Sequence, residues 1–419
     1  MDPLAKRLRA AQAAAVVGVD AGKFTHTLVV RPRGQADSRP LRVPTTRAGF
    51  DEAVAFIQRA AGDAPPAAVL VGLEFAGNYG FTFAHYLHAL HYGVVSVLPS
   101  HTKRWKEVTH HLPLKTDAKD ALGIVDLTAH GHFVGFPFLD RPYAELRYLV
   151  SARERLRVLH RGILTRLRTI LHVVFPEFEQ LFGRFTKRTP LALLAAFPGP
   201  SDLLAAPKRR VLAVLHEASR GHVGAEKYTA LCHAAEATLG LPGAQAVLRE
   251  EIPLLLAQWH LVEHQRRVIE AKMQAALAPL PEAPALLSIP LVAPVTAAVF
   301  LGSIGDPQAY SSAREVLKVA GLSLVERSSG ILVGQKRISK RGRPALRAAA
   351  YMFAVRSIRR GGLFRAEFDG LVARNGGQRL KAVVAVSRSA LRLWFSVARA
   401  RRPFTRLPPT RAAKGVQGV

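Results

Sequence analysis

Four carboxylates in the first third of the chain have the types and spacing of metal-dependent phosphodiester chemistry. Asp20 ends an apolar stretch, in AVVGVDAGK, just before a glycine turn. Glu74 ends a later apolar stretch, in VGLEFAGNYG. Asp117 and Asp120 stand three apart in KTDAKDALG, on one face of an expected helix. A lone Asp at a strand end is commonly a turn or helix cap. Four acids brought together are different, because they repel one another unless a cation neutralises them. Hard oxygen ligands of this kind suit Mg²⁺ or Mn²⁺. A metal so held activates a nucleophile and stabilises the oxygen that leaves a phosphodiester. Lys115 and Lys119 beside the aspartates are either solvated helix partners or phosphate contacts.

A second candidate group lies far along the chain. Ser328 and Ser329 precede Gly330, which allows close approach to a bulky substrate. Around them stand Arg327, Lys336, Arg337, Lys340, Arg341, Arg343 and Arg347, with almost no acids to balance them. A serine attacking phosphorus forms a phosphoserine linkage and frees a hydroxyl, so strands can be rejoined without ATP. By composition alone, Ser-Ser-Gly is a loop. His85, His88 and His91 recur on one expected helix without an obvious fourth ligand, which favours packing over metal binding. Trp105, beside Lys103, Arg104 and Lys106, is either a stacking platform for a base or a half-buried anchor.

These residues need elements to carry them. Residues 15–31 read as a β-hairpin turning at Ala21-Gly22-Lys23, and 40–45 as a third strand. Residues 46–62 have apolar residues at helical spacing behind a Thr45-Thr46 cap. Residues 67–75 and 94–100 read as buried strands, and 81–92 and 115–130 as helices. The order β-β-β-α-β-α-β-α is that of a ribonuclease H-like α/β domain. In such a sheet the first and fourth strands are neighbours and a following helix packs beside them, so the four acids converge.

Residues 141–185 read as a long Arg-rich amphipathic helix with Leu146, Leu149, Leu156, Leu159, Ile163, Leu167, Ile170 and Leu171 in one stripe, ended or kinked by Pro176. Helical patterns resume over 225–278, with Pro242 and Pro253 expected as breaks. The middle is therefore helical, either a coiled-coil arm or an ordinary helical domain. A Pro-rich hinge is expected at 279–284, then a basic, mainly helical domain, and a disordered cationic tail from about 403. The resulting division is 1–140, 141–280, 281–402 and 403–419.

Charge supports a division of labour. The 419 residues hold 59 Lys and Arg against 30 Asp and Glu, a formal net charge of +29. By thirds the net charge is +3 over 1–140, +8 over 141–280 and +18 over 281–419. Such a surplus points to a polyanionic partner, nucleic acid being the common one, and argues against an enzyme of small neutral substrates. The single cysteine, Cys232, excludes an internal disulfide framework and a Cys-rich zinc site. The start of the chain lacks a clear signal-peptide cleavage site. The apolar stretch 283–305 is interrupted by Pro290 and Pro294 and reads as a helix-turn-helix rather than a membrane span. The expected location is cytoplasmic, on the nucleoid.

The pattern GVDAGK, then LEFAGNYG, then KTDAKDA resembles the DEDD transposases of bacterial insertion sequences. These are bridge-RNA-guided recombinases whose N-terminal domain is like the junction resolvase RuvC. The later segment, LLSIPLVAPVTAAVFLGSIGD and LKVAGLSLVERSSGILVGQKRISKRGRPALRAAAYM, is similar to that family's second domain. The two matches cover about half the chain, in the family's order. The resemblance implies that Asp20, Glu74, Asp117 and Asp120 are a metal-binding tetrad, and that Ser329, aligned with the serine of the family's SG pair, is the nucleophile. It also implies donor and target DNA, a noncoding bridge RNA, and a homo-oligomer, dimer or tetramer, in which different protomers supply tetrad and serine. One departure stands out. The family has glycines in a GIG-like hairpin after its IP pair, and here that place reads Leu291-Val292-Ala293, which leaves phosphate binding by the hairpin an open point. A resolvase-like nuclease using metal-activated water is the competing reading. GVDAGK also resembles the phosphate strand of sugar kinases and actin-like ATPases, but no second Gly-rich phosphate loop follows. A non-catalytic nucleic-acid binder is the remaining alternative.

Overall fold

The computed structural model describes residues 3–75, 79–109, 116–136, 138–139, 141–329 and 332–405, with the side chains of 242, 244, 245, 247, 327–329 and 332–335 outside that description. The chain divides into two compact units, 1–138 and 139–419.

The first unit is a mixed α/β domain. Helix α1 (Pro3–Gln12) leads into the hairpin β1 (Ala15–Ala21) and β2 (Thr25–Pro32), then β3 (Leu41–Pro44) and α2 (Arg47–Ala60). There follow β4 (Val69–Glu74), α3 (Phe81–Ala89), β5 (Gly93–Val97), α4 (Pro99–Thr109), α5 (Asp117–Ala129) and the short β6 (Val134–Gly135). The expected strand and helix order holds, with α1, α4 and the edge strand β6 added to it. The sheet runs β3-β2-β1-β4-β5-β6. Strands β1, β4 and β5 are parallel, and β2 is antiparallel to β1.

Both faces of the sheet are covered, which is why its strands read as near-continuous apolar runs. Val17, Val19, Leu28 and Val30 face a core with Phe50 and Ile57 of α2 and Phe83 and Leu87 of α3. Thr46 caps α2 by accepting a hydrogen bond from the Gly49 amide. On the opposite face, Val16 and Val29 pack against Ala121 and Val125 of α5.

Two glycines seat α5 on that face. Gly18 of β1 and Gly72 of β4 are direct cross-strand neighbours. A Cβ on Gly18 would lie 2.3 Å from the Ala121 carbonyl oxygen and 2.6 Å from the Val125 nitrogen. A Cβ on Gly72 would lie 2.1 Å from Thr128 Oγ1. The helix backbone therefore rests directly on the sheet, closer than any side chain permits.

The second unit is built on two long helices, α6 (Arg141–Val174) and α12 (Pro242–Leu277). Arg153 pairs with Glu270 at 2.8 Å and Arg166 with Glu251 at 2.7 Å, so the two run antiparallel. At one end they enclose a core with α7 (Glu177–Phe182), α8 (Arg188–Ala196), α9 (Pro200–Ala205), α10 (Lys208–Ser219) and α11 (Ala225–Glu236). At the other end Tyr143, Leu146, Met273 and Leu277 join a core with α13 (Ala283–Leu287), α14 (Pro294–Ile304), α15 (Ala313–Val319), α16 (Pro344–Ser357) and α18 (Arg379–Ala400). Helix α17 (Arg365–Arg374) packs on α18 through Phe368.

Three expectations need correction here. Helix α12 continues through Pro253 without a break. Ile252, Leu255 and Leu256 are buried beside the proline, and that packing offsets the lost backbone hydrogen bond. Residues 279–284 are no hinge. The fully buried Glu282 accepts hydrogen bonds from Tyr143 at 3.1 Å and from Arg401 at 3.0 and 2.7 Å, clamping the starts of α6 and α13 to the end of α18. The C-terminal region also contains a hairpin, β7 (Leu324–Ser329) and β8 (Leu332–Ile338), where the composition of Ser-Ser-Gly predicts a loop. The tail beyond 405 lies outside the described residues. Residues 283–305 form α13, a turn and α14, and among the described residues no helix is long and apolar enough to cross a membrane.

The Gly18–Gly72 seat yields a graded prediction. Gly18→Ala meets backbone and should destabilise the protein by about 3 kcal/mol or more, with no rescue by Val125→Ala. Gly72→Ala meets a side chain and should recover most of its loss when combined with Thr128→Ala. Urea unfolding of the singles and doubles checks this, and equal rescue at both positions contradicts the seat.

Candidate functional site

The register of the sheet places two of the four acids. Val19 pairs with Leu73 in the parallel β1–β4 ladder, so Asp20 and Glu74 follow side by side at the carboxyl ends of neighbouring strands. Asp20 and Gly18 share a strand face, as do Glu74 and Gly72, and this is the face that α5 covers. Helix α5 begins at that end of the sheet. Thr116 caps it by accepting from the Lys119 amide at 3.3 Å, and Asp117 and Asp120 fall in its first turn.

The acids act on one another electrostatically. The Asp20 carboxyl is pushed up to about 6, first by burial and then by the negative charges of Asp120, Asp117 and Glu74, with Lys106 acting in the opposite direction. Asp120 Oδ1 is buried and makes no hydrogen bond; Lys106 Nζ of α4 sits 2.6 Å from it, off the hydrogen-bonding direction. Oxygen-only donors that raise one another's proton affinity are what a hard divalent cation suits. Among the described residues, however, no group of three or more His, Cys, Asp or Glu side chains is set to hold a metal ion. The donor chemistry fits Mg²⁺ or Mn²⁺, while the present arrangement spends part of Asp120 on a lysine. Lys106 is the residue that sequence reasoning missed in this role. Its pairing depends on how α4 meets α5, which no local pattern reveals.

The basic cluster is partly placed. Ser329 ends β7 and pairs with Leu332 across the hairpin, next to an irregular register between Arg327 and Ser329. The side chains of Arg327, Ser328 and Ser329 lie outside the described residues, as does Gly330. Lys336 and Arg337 of β8 and Lys340 and Arg341 after it are exposed. Arg343 is half-buried, and burial holds its guanidinium below the usual range. Arg347 donates to the carbonyls of Ala320 at 2.9 Å and Lys340 at 3.3 Å, so it braces the turn after β8. In the Leu291-Val292-Ala293 hairpin, Leu291 adopts φ +71, the left-handed region that a glycine would take without strain.

The remaining candidates resolve into packing. The His88 ring stacks on Phe138 with centroids 3.7 Å apart, and His85 meets the same ring edge-on at 5.2 Å. Trp105 is an anchor, lying against Gly123 of α5 and the core beneath it. Lys103 and Arg104 are exposed on α4, Lys103 within 4.0 Å of Glu107. Lys119 is half-buried, and Lys115 lies outside the described residues.

Two family matches cover these same regions. Residues 17–176 match a transposase family of the DEDD type from IS110 elements, and residues 283–369 match the transposase IS116/IS110/IS902 family. The IS110 protein of Streptomyces coelicolor, described as an uncharacterized 43.6 kDa insertion-element protein, is 28% identical over 68% of this chain and 71% of its own. The IS116 protein of Streptomyces clavuligerus is 27% identical over 70% of this chain and 74% of its own. The IS900 protein of Mycobacterium paratuberculosis is 27% identical over 91% of this chain and 95% of its own. These matches define a transposase of a mobile element. The chain belongs to the IS110/IS116/IS902 DEDD transposase family of insertion sequences, and it is an enzyme of the transposase/recombinase type.

The raised Asp20 carboxyl carries a pH signature. Between pH 3.8 and about 6 the folded protein keeps a proton that the unfolded chain has released, so this group's effect on stability worsens as pH rises through that window. In EDTA, Asp20→Asn should raise the melting temperature at pH 8 and lose that advantage as pH falls toward 4. An equal gain at pH 4 and pH 8 contradicts the assignment.

Proposed function

We propose that the α/β unit is a RuvC-like nuclease domain in which Asp20, Glu74, Asp117 and Asp120 hold Mg²⁺ or Mn²⁺, and that Ser329 forms a phosphoserine link to the DNA. The observation that carries this reading is the convergence of four acids at the carboxyl ends of β1 and β4. A divalent ion there supplies activation of the attacking group and relief of charge on the leaving oxygen. The protein's part is to hold the carboxylates, half-buried at Asp20, Glu74 and Asp120 and exposed at Asp117, close enough that added positive charge relieves their repulsion.

Ser329 stands at the end of β7 in a cationic stretch, where exposed Lys336, Arg337, Lys340 and Arg341 can hold phosphates. Attack of Ser329 Oγ on phosphorus forms the O–P bond and breaks the bond to the leaving strand. The serine proton is released and the departing oxygen takes one up to become a free hydroxyl. The linkage keeps the strand's bond energy for rejoining. Donor and target DNA, a bridge RNA that selects them by base pairing, and a dimer or tetramer that unites tetrad and serine from different protomers complete the reading. These parts rest on the family resemblance. So does the functional separation of a helical region over 141–280 from a basic region over 281–402.

The test uses supercoiled donor and target with the full-length protein. Asp20→Ala and Ser329→Ala should each reduce strand exchange by at least a thousandfold, a range set by losses of essential catalytic groups. Only the wild type should leave protein covalently attached to DNA after denaturation. A covalent adduct that persists in Ser329→Ala excludes Ser329 as the nucleophile. Cleavage without any adduct in the wild type favours a hydrolytic nuclease instead.

A further inference from the structure

Lys106 stands against one carboxylate of the acid cluster, that of Asp120. Its ammonium is 2.6 Å from Asp120 Oδ1, and the two side chains are 35% and 12% exposed. Other lysines nearby are differently placed. Lys103, one turn earlier on α4, is 80% exposed and lies 4.0 Å from Glu107. The position of Lys106 is fixed by the packing of α4 on α5. Trp105 packs against Gly123, where an added Cβ would come within 2.6 and 2.8 Å of the indole ring. The residue next to that anchor is thereby held over the first turn of α5, where Asp120 stands.

Asp120 Oδ1 has no hydrogen-bond donor of its own, so the lysine charge is what compensates its burial. A lysine is suited to a temporary role of this kind. It is a single point charge on a flexible stem, without the fixed fork that an arginine would lock onto the carboxylate. We propose that Lys106 is a built-in competitor of the metal: it neutralises Asp120 in the metal-free protein and must release that carboxylate before a divalent ion can take it. The inference rests on reading the tetrad as a metal site. Lys106 is thus a positioning residue that sets how tightly the tetrad holds its ion. It also keeps the acid cluster from repelling itself apart while no ion is bound.

The direct measurement is Mn²⁺ binding to the full-length protein at pH 8, followed by the electron paramagnetic resonance signal of the free ion, with no nucleic acid present. Lys106→Met should bind Mn²⁺ on the order of tenfold more tightly than wild type, the effect of removing one close positive charge from a half-buried site. Lys106→Arg keeps the charge and adds the fork that grips a carboxylate, so it should bind Mn²⁺ no more tightly than wild type. Lys103→Met removes the same charge without the contact and should change affinity by less than about twofold. Lys106→Gln repeats the test should the methionine variant fail to fold. Unchanged or weaker binding in the folded Lys106→Met or Lys106→Gln protein overturns the proposal. So does an equal gain in Lys103→Met, which would reduce the effect to a general field, or in Lys106→Arg. If neither the wild type nor Lys106→Met binds Mn²⁺, the metal reading of the tetrad fails and this inference fails with it.

Discussion

The seat of α5 on the Gly18–Gly72 pair is the contact on which the N-terminal unit depends. An α-helix normally stands off a sheet by the thickness of two layers of side chains. Here two glycines, opposite each other on neighbouring parallel strands, remove one layer. The helix comes down until its carbonyls and amides meet the strands. Because Asp20 and Glu74 lie two residues beyond those glycines on the same face, the first turn of α5 is set down beside them. The approach that closes the packing is also the approach that crowds four negative charges.

Crowding has a cost, visible in the Asp20 carboxyl at about 6. Ordinary folding would disperse such a cluster or pair it fully. Among the described residues, the ion pair this cluster makes is Lys106 with Asp120. The second unit shows the opposite economy. Its buried acid, Glu282, is fully engaged by Tyr143 and Arg401, and its arginines pair along α6 and α12 or brace turns as Arg347 does. Lys336, Lys340 and Arg341 around β8 are exposed, where an outside polyanion can reach them. The formal charge of +29 is therefore not one uniform surface: some of its cations have structural duties, and others among the described residues are exposed.

Much of the first unit was legible in the sequence, since strands buried on both faces leave unbroken apolar runs and turns leave glycines. Asp20, Glu74, Asp117 and Asp120 were legible as a set because strand ends and a helix start are local signals. The depth of the α5 seat was partly legible, as glycines inside GVDAGK and VGLE invite the question of what approaches them. The Lys106–Asp120 contact was not legible, because it depends on the angle at which two helices meet through Trp105 and Gly123. Pro253 misled in the other direction: a local helix-breaking rule lost to tertiary packing on both sides of it. The β7–β8 hairpin escaped because its strands mix charged, polar and apolar residues around a Ser-Ser-Gly that reads as a loop. The hinge expected at 279–284 became a clamp through one buried glutamate whose partners lie more than a hundred residues away.

The most direct measurement of the central claim is the anomalous diffraction of Mn²⁺ in crystals of the full-length protein grown with that ion. We expect a peak about 2.1 Å from carboxylate oxygens of Asp20, Glu74 and the first turn of α5, with the Lys106 ammonium withdrawn from Asp120. Crystals with Mn²⁺ bound elsewhere, and Lys106 still seated on Asp120, would contradict it.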